Sequence, residues 1–88
     1  MFEILEVKDV KREIGQLVRL VRKKRKLSQV QLAALLDVSR TTIQNLESGK
    51  NFTADTLLKI LKEFDLLDQL NHEIILVKDQ IVKTKSLY

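Results

Sequence analysis

The sequence predicts an all-α, compact five-helix domain with a C-terminal extension, on three observations. The 88 residues contain no Pro and only two Gly, Gly15 and Gly49, so little interrupts a helix. Apolar residues recur at helical spacing in successive short stretches. Residues that favour helix starts (Asp9, Ser28, Ser39, Thr53 and Asp65) fall between those stretches. At this length one domain is the ceiling, and a core this small gains from oligomerisation. The expected organisation is an N-terminal arm over 1–8, the helical domain over 9–72 and an extension over 73–88.

Residues 1–8 alternate weakly and suit an arm or a short strand. Asp9 is positioned to cap the first helix. Its apolar stripe is Val10, Ile14, Leu17, Val18 and Val21. Gly15 interrupts that helix at a cost of about 1 kcal/mol against Ala, which a close backbone crossing would explain. Ser28-Gln29-Val30-Gln31 reads as a capping box opening a second helix that carries Leu32, Ala33, Leu35 and Leu36. A new start signal at Ser39 makes Asp37-Val38 a tight turn, with Asp37 in a left-handed conformation. The third helix runs from Arg40 to about Ser48, with Ile43 and Leu46 inward, and Gly49 sits where a left-handed residue ends a helix. Thr53 caps a fourth helix whose expected apolar face is Leu57, Leu58, Leu61 and Phe64. Asp65 is the expected cap of a fifth. Beyond it Leu67, Leu70, Ile74, Val77 and Ile81 step by 3 and 4, a heptad seam. The run Ile74-Ile75-Leu76-Val77 also suits a strand, but helix is favoured for lack of turn residues.

Composition excludes several functions. Without Cys there is no disulfide framework, thiolate zinc site or thiol nucleophile. The single His72 reads as a surface helix residue rather than a ligand, so no metal and no cofactor is expected. Two separated glycines cannot build a phosphate loop. Ser28 and Ser39 read as caps, the acids show no paired geometry, and the expectation is no enzyme. Four aromatics are too few for a base-stacking platform, and Tyr88 reads as a terminal or packing residue. No membrane span is expected, since no run approaches about 18 uncharged apolar residues. The acidic start lacks the pattern of a signal peptide, so the expected location is cytoplasmic.

The net charge of +4 is unevenly spread. Residues 11–26 carry eight basic side chains against one acid, while residues 27–52 balance. A polyanion partner explains this concentration; so does a solvated helix end, where cations are favoured.

Two short helices joined by a tight turn, the second opening with polar residues, describe a helix-turn-helix. Within residues 27–49, Leu32, Leu36, Val38, Ile43 and Leu46 take the inward positions, and the small Ala33 lies where the helices cross. The segment RKLSQVQLAALLDVSRTTIQNLESGK resembles the phage repressor and Cro-type (XRE-like) helix-turn-helix family, over roughly residues 12–64. Asp37 and Lys26 depart from that pattern, each standing where the family commonly has Gly. The resemblance implies a lambda-repressor-like fold and sequence-specific binding of double-stranded DNA. It makes Arg40, Thr41, Gln44 and Asn45 the base-contacting residues. Side-chain chemistry agrees: Arg donates twice to guanine, and Asn or Gln pairs with adenine. Expected phosphate contacts are Gln29, Thr42, Lys50 and Asn51, with Lys23 and Lys24 from the basic run, where Arg25 too is assigned to solvent or phosphate. The resemblance pairs Arg22 with Glu47 as a structural ion pair.

The leading expectation is a homodimeric transcriptional repressor on a palindromic operator, with the helix at 40–48 in the major groove. The seam Leu67, Leu70, Ile74, Val77 and Ile81 is the expected dimer or partner surface, the alternative being that it folds back onto the monomer's core. A second reading is a DNA-binding antitoxin of the HipB type, which binds a toxin protein and regulates its own operon. A membrane-surface module, suggested by the basic amphipathic first helix, is the least favoured of the three.

Overall fold

The computed structural model describes residues 4–86. Its helices are α1 (Val7–Lys24), α2 (Gln29–Leu36), α3 (Arg40–Glu47), α4 (Ala54–Glu63) and α5 (Leu67–Ser86). The C-terminal third is therefore helix, and residues 73–86 simply continue α5. The start of the arm, residues 1–3, and Tyr88 lie outside the described residues.

Local chemistry sets the helix starts. Ser28, Ser39 and Thr53 each accept the backbone N–H three residues on, from Gln31, Thr42 and Thr56. Gln31 completes its box by accepting the Ser28 N–H at 2.8 Å. Asp9 works differently from its expected role. It sits in the third helical position and accepts the Glu6 N–H at 2.9 Å, so α1 starts at Val7 and the arm is shorter than 1–8.

Four helices end in one way. A left-handed residue just past the last turn lets two backbone N–H groups fold back onto unpaired carbonyls. Gly49 fills that position after α3, with φ +77°. Lys26, Asp37 and Asp65 fill it after α1, α2 and α4, with φ of 59°, 55° and 60°. After α4 the returning bonds are Asp65 N–H to Lys62 O at 3.1 Å and Leu66 N–H to Leu61 O at 2.8 Å. Asp65 thus terminates α4 rather than capping α5, because its backbone is committed to the preceding turn.

Val18, Leu32, Ala33, Leu36, Ile43, Leu46, Ile60 and Phe64 form the core, with Val38 packed against it. α3 lies against both α1 and α2. Gly15 makes the α1–α3 contact possible: a Cβ there would stand 2.6 Å from the backbone oxygens of Leu46 and Glu47. That contact turns the buried face of α1 to Gly15, Val18 and Arg22, leaving Val10 and Leu17 of the expected stripe exposed. α4 is also rotated from expectation. Thr56, Ile60 and Phe64 face the core, Leu57 and Leu61 flank them, and Leu58 is exposed. Thr56 tolerates burial because it stays bonded to the Thr53 hydroxyl.

α5 departs from the compact body. Leu66, Leu67 and Leu70 are half-buried near α4, but every residue from 71 to 84 is exposed. The radius of gyration is 15.8 Å, against roughly 12 Å for a compact chain of this length. The long dimension is 52 Å, so the second half of α5 projects.

Candidate nucleic-acid interface

The polar face of α3 is the centre of the site. Ile43 and Leu46 are fully buried, which fixes the helix about its axis. Arg40, Thr41 and Gln44 are then exposed, and Asn45 is half-buried beside them. Their side-chain amides and hydroxyls, and one guanidinium, face outward together. Thr42 is half-buried, and its hydroxyl lies 2.8 Å from the Ser39 hydroxyl, so it is partly engaged in the cap.

A buried ion pair anchors the other end of α3. Arg22 Nε donates to Glu47 Oε2 at 2.7 Å and Nη2 donates to Oε1 at 2.9 Å. Both side chains are nearly inaccessible, at 9% and 4%. The Glu47 hydrogen bond raises the Arg22 pKa above its ordinary value, burial opposes that, and the carboxylate charge adds to it. Arg22 Nη1 also donates to the Leu27 carbonyl at 2.9 Å, tying in the turn before α2. Gln29 joins the cluster, donating from Nε2 to Glu47 Oε1 at 3.2 Å. One carboxylate thus holds α1, α2 and α3 in a common frame. Gln29 also opens α2, where first-turn N–H groups lack intrahelical acceptors and favour anions.

The other phosphate candidates separate by structure. Lys50 follows Gly49, is exposed, and gives its N–H to the Asn45 carbonyl at 2.9 Å. Asn51 accepts Lys11 Nζ at 2.6 Å, which ties the α3–α4 loop to α1. Lys23 and Lys24 are exposed on the last turn of α1. Arg25 behaves otherwise than expected. It donates to the Glu63 carbonyl at 2.7 Å, pairs with Asp65 at 3.3 Å and lies over the Phe64 ring at 5.2 Å from its centroid. It clasps the end of α4 because a planar guanidinium can stack and donate at once. Nothing local in the sequence marks that role, nor the Lys11–Asn51 bond, since each joins residues about 40 positions apart.

Of the seam residues, Leu67, Leu70 and Ile74 line a groove with Leu58, and Ile74, Val77 and Ile81 are exposed. His72 is exposed on α5. Among the described residues no cluster of three or more His, Cys, Asp or Glu is gathered for a metal, and no helix is long and apolar enough to cross a membrane.

The family model described as helix-turn-helix matches residues 18–67, more than half of the chain. The chain belongs to the Cro/XRE-type helix-turn-helix family. No curated protein matches it. The helix-turn-helix match spans α2 and α3 with the last seven residues of α1, all of α4 and the first residue of α5. It leaves the remainder of α5 outside. Family membership makes this helix-turn-helix protein a sequence-specific DNA-binding regulator.

Proposed function

We propose that the protein is a homodimeric transcriptional repressor that inserts α3 into the major groove of a palindromic operator. The observation that carries this is the outward polar face of α3, on a helix locked by two buried apolar residues and by the Arg22–Glu47 pair. A rigid helix can choose between bases because small displacements would break bidentate contacts. In this reading Arg40 donates to guanine O6 and N7, and Thr41 meets a base edge or a thymine methyl. Gln44 and Asn45 pair with adenine. Gln29, Thr42, Lys50 and Asn51 set the register on the phosphates, and Lys23 and Lys24 add attraction. The seam on α5 joins two copies.

Selection of bound sites from a random duplex library tests this. Palindromic sites with half-sites about 10 bp apart, or a multiple of that, are expected. R40A should weaken the selected site by about 1–3 kcal/mol and relax one base pair per half-site. No enrichment, or an R40A variant with wild-type preference, would reject the reading.

The antitoxin reading has one supporting observation. Ile75, Leu76 and Val82 are exposed off the seam, at 45%, 41% and 62%, an apolar surface a toxin chain could cover. Co-purification of a second, different chain from the native host would favour it; a homogeneous preparation that represses alone would not.

A further inference from the structure

We propose that the projecting half of α5 pairs with α5 of a second copy as a parallel, in-register two-stranded coiled coil, oriented by Glu73 and Lys78. This rests on the dimeric reading above and adds its polarity and register. All residues from 71 to 84 are exposed on a helix that continues to Ser86. An isolated helical stretch shorter than about 12–15 residues is marginal in water, so this segment gains from a partner. Ile74, Val77 and Ile81 are exposed to nearly the same degree, 50%, 51% and 53%, and recur at 3 and 4. The β-branched Ile74 and Ile81 then take the first apolar position of each heptad, with Leu70 and Val77 in the second. Such side chains at the first position favour two strands where Leu fills the second, as Leu70 does; the β-branched Val77 weakens that preference.

Charge decides the direction. Glu73 and Lys78 flank the seam on opposite sides, and with Ile74 and Val77 they line one surface recess. Five residues separate them, the spacing that faces one helix's acid to the partner's base in a parallel pair. The two-fold axis makes each such pair twice, Glu73 against the partner's Lys78 and the reverse. In an antiparallel pair like positions face each other. Lys78 would then meet a lysine or Asn71, and Glu73 would meet a glutamate or Gln80, with no opposite charge for either. A parallel pair also holds both helix-turn-helix cores at one end, available to one duplex.

The native chain has no Cys, so single thiols report geometry in the full-length protein. V77C should form a disulfide-linked dimer under mild oxidation, while a mixture of L70C and I81C should yield few mixed dimers. By sedimentation equilibrium E73K and K78E should each weaken the dimer roughly 3- to 30-fold, and the double exchange should restore it to within about 3-fold of wild type. A dimer indifferent to both single exchanges, or one that links L70C to I81C in preference, overturns the parallel arrangement while leaving the dimeric reading intact. Three or four strands would overturn it too. A chain that stays monomeric at high micromolar concentration overturns the dimeric reading and this proposal together.

Discussion

Replacing Gly15 by Ala sets two effects of opposite sign against each other. On helix propensity alone, Ala in mid-helix stabilises by about 1 kcal/mol. The new methyl group, however, would stand 2.6 Å from the carbonyl oxygens of both Leu46 and Glu47, and 2.9 Å from the Glu47 carbonyl carbon. These are backbone atoms at the end of α3 and cannot rotate away. Ordinary contact requires α1 and α3 to separate by several tenths of an ångström. That shift loosens the packing of Val18 and stretches the Arg22–Glu47 bonds of 2.7 and 2.9 Å. Overpacking of this kind costs about 1–3 kcal/mol, and backbone on both sides of the contact argues for the upper part of that range. The net expectation is a loss of about 1–2 kcal/mol, a fall in Tm of roughly 5–15 °C for a domain of this size. Thermal melting followed by circular dichroism measures it directly. An unchanged or higher Tm would mean that propensity wins, and that α1 and α3 do not touch through backbone as described.

Other substitutions probe separate parts of the structure. E47A strands the buried Arg22 and removes the acceptor of Gln29, so urea denaturation should show a loss of about 3–5 kcal/mol; a loss under about 1 kcal/mol would make the pair a surface contact in effect. K26G and D37G relieve left-handed conformations that cost L-residues roughly 1–2 kcal/mol, against about 0.5–1 kcal/mol of added backbone entropy. Each should therefore raise Tm slightly, and a lowered Tm in both would refute the backbone assignment. K23A/K24A should weaken binding on all duplexes alike and reduce the slope of log affinity against log salt by roughly 1–2. An unchanged slope would return both side chains to the solvent.

Much of the fold is legible in the sequence because it is encoded within a turn or two of helix. Ser28, Ser39 and Thr53 meet N–H groups three residues away, so type and spacing suffice to find them. The inward set of Leu32, Leu36, Ile43 and Leu46, with the small Ala33, follows from the 3.6-residue period. The polar opening of α3 is legible for the same reason. Periodicity was weaker on α4, where leucines on neighbouring faces leave several stripes equally apolar. Only packing distinguishes Ile60 from Leu58.

The sequence by itself determined that this chain is helical, where most helices begin, and that its centre is a helix-turn-helix with a polar reading face. Tertiary structure alone decided how far each helix turns toward the core and which basic residue besides Arg22 is bonded to a distant helix. Arg22 meets Glu47 across 25 positions, and Arg25 meets Asp65 across 40. In the basic run Arg22 is buried against Glu47 and Arg25, itself exposed, is bonded to the end of α4, while Lys23 and Lys24 are exposed on the last turn of α1. The physical reason is range. Capping and periodicity act within a few residues, whereas burial and ion pairing depend on which distant segment the close α1–α3 contact at Gly15 brings alongside.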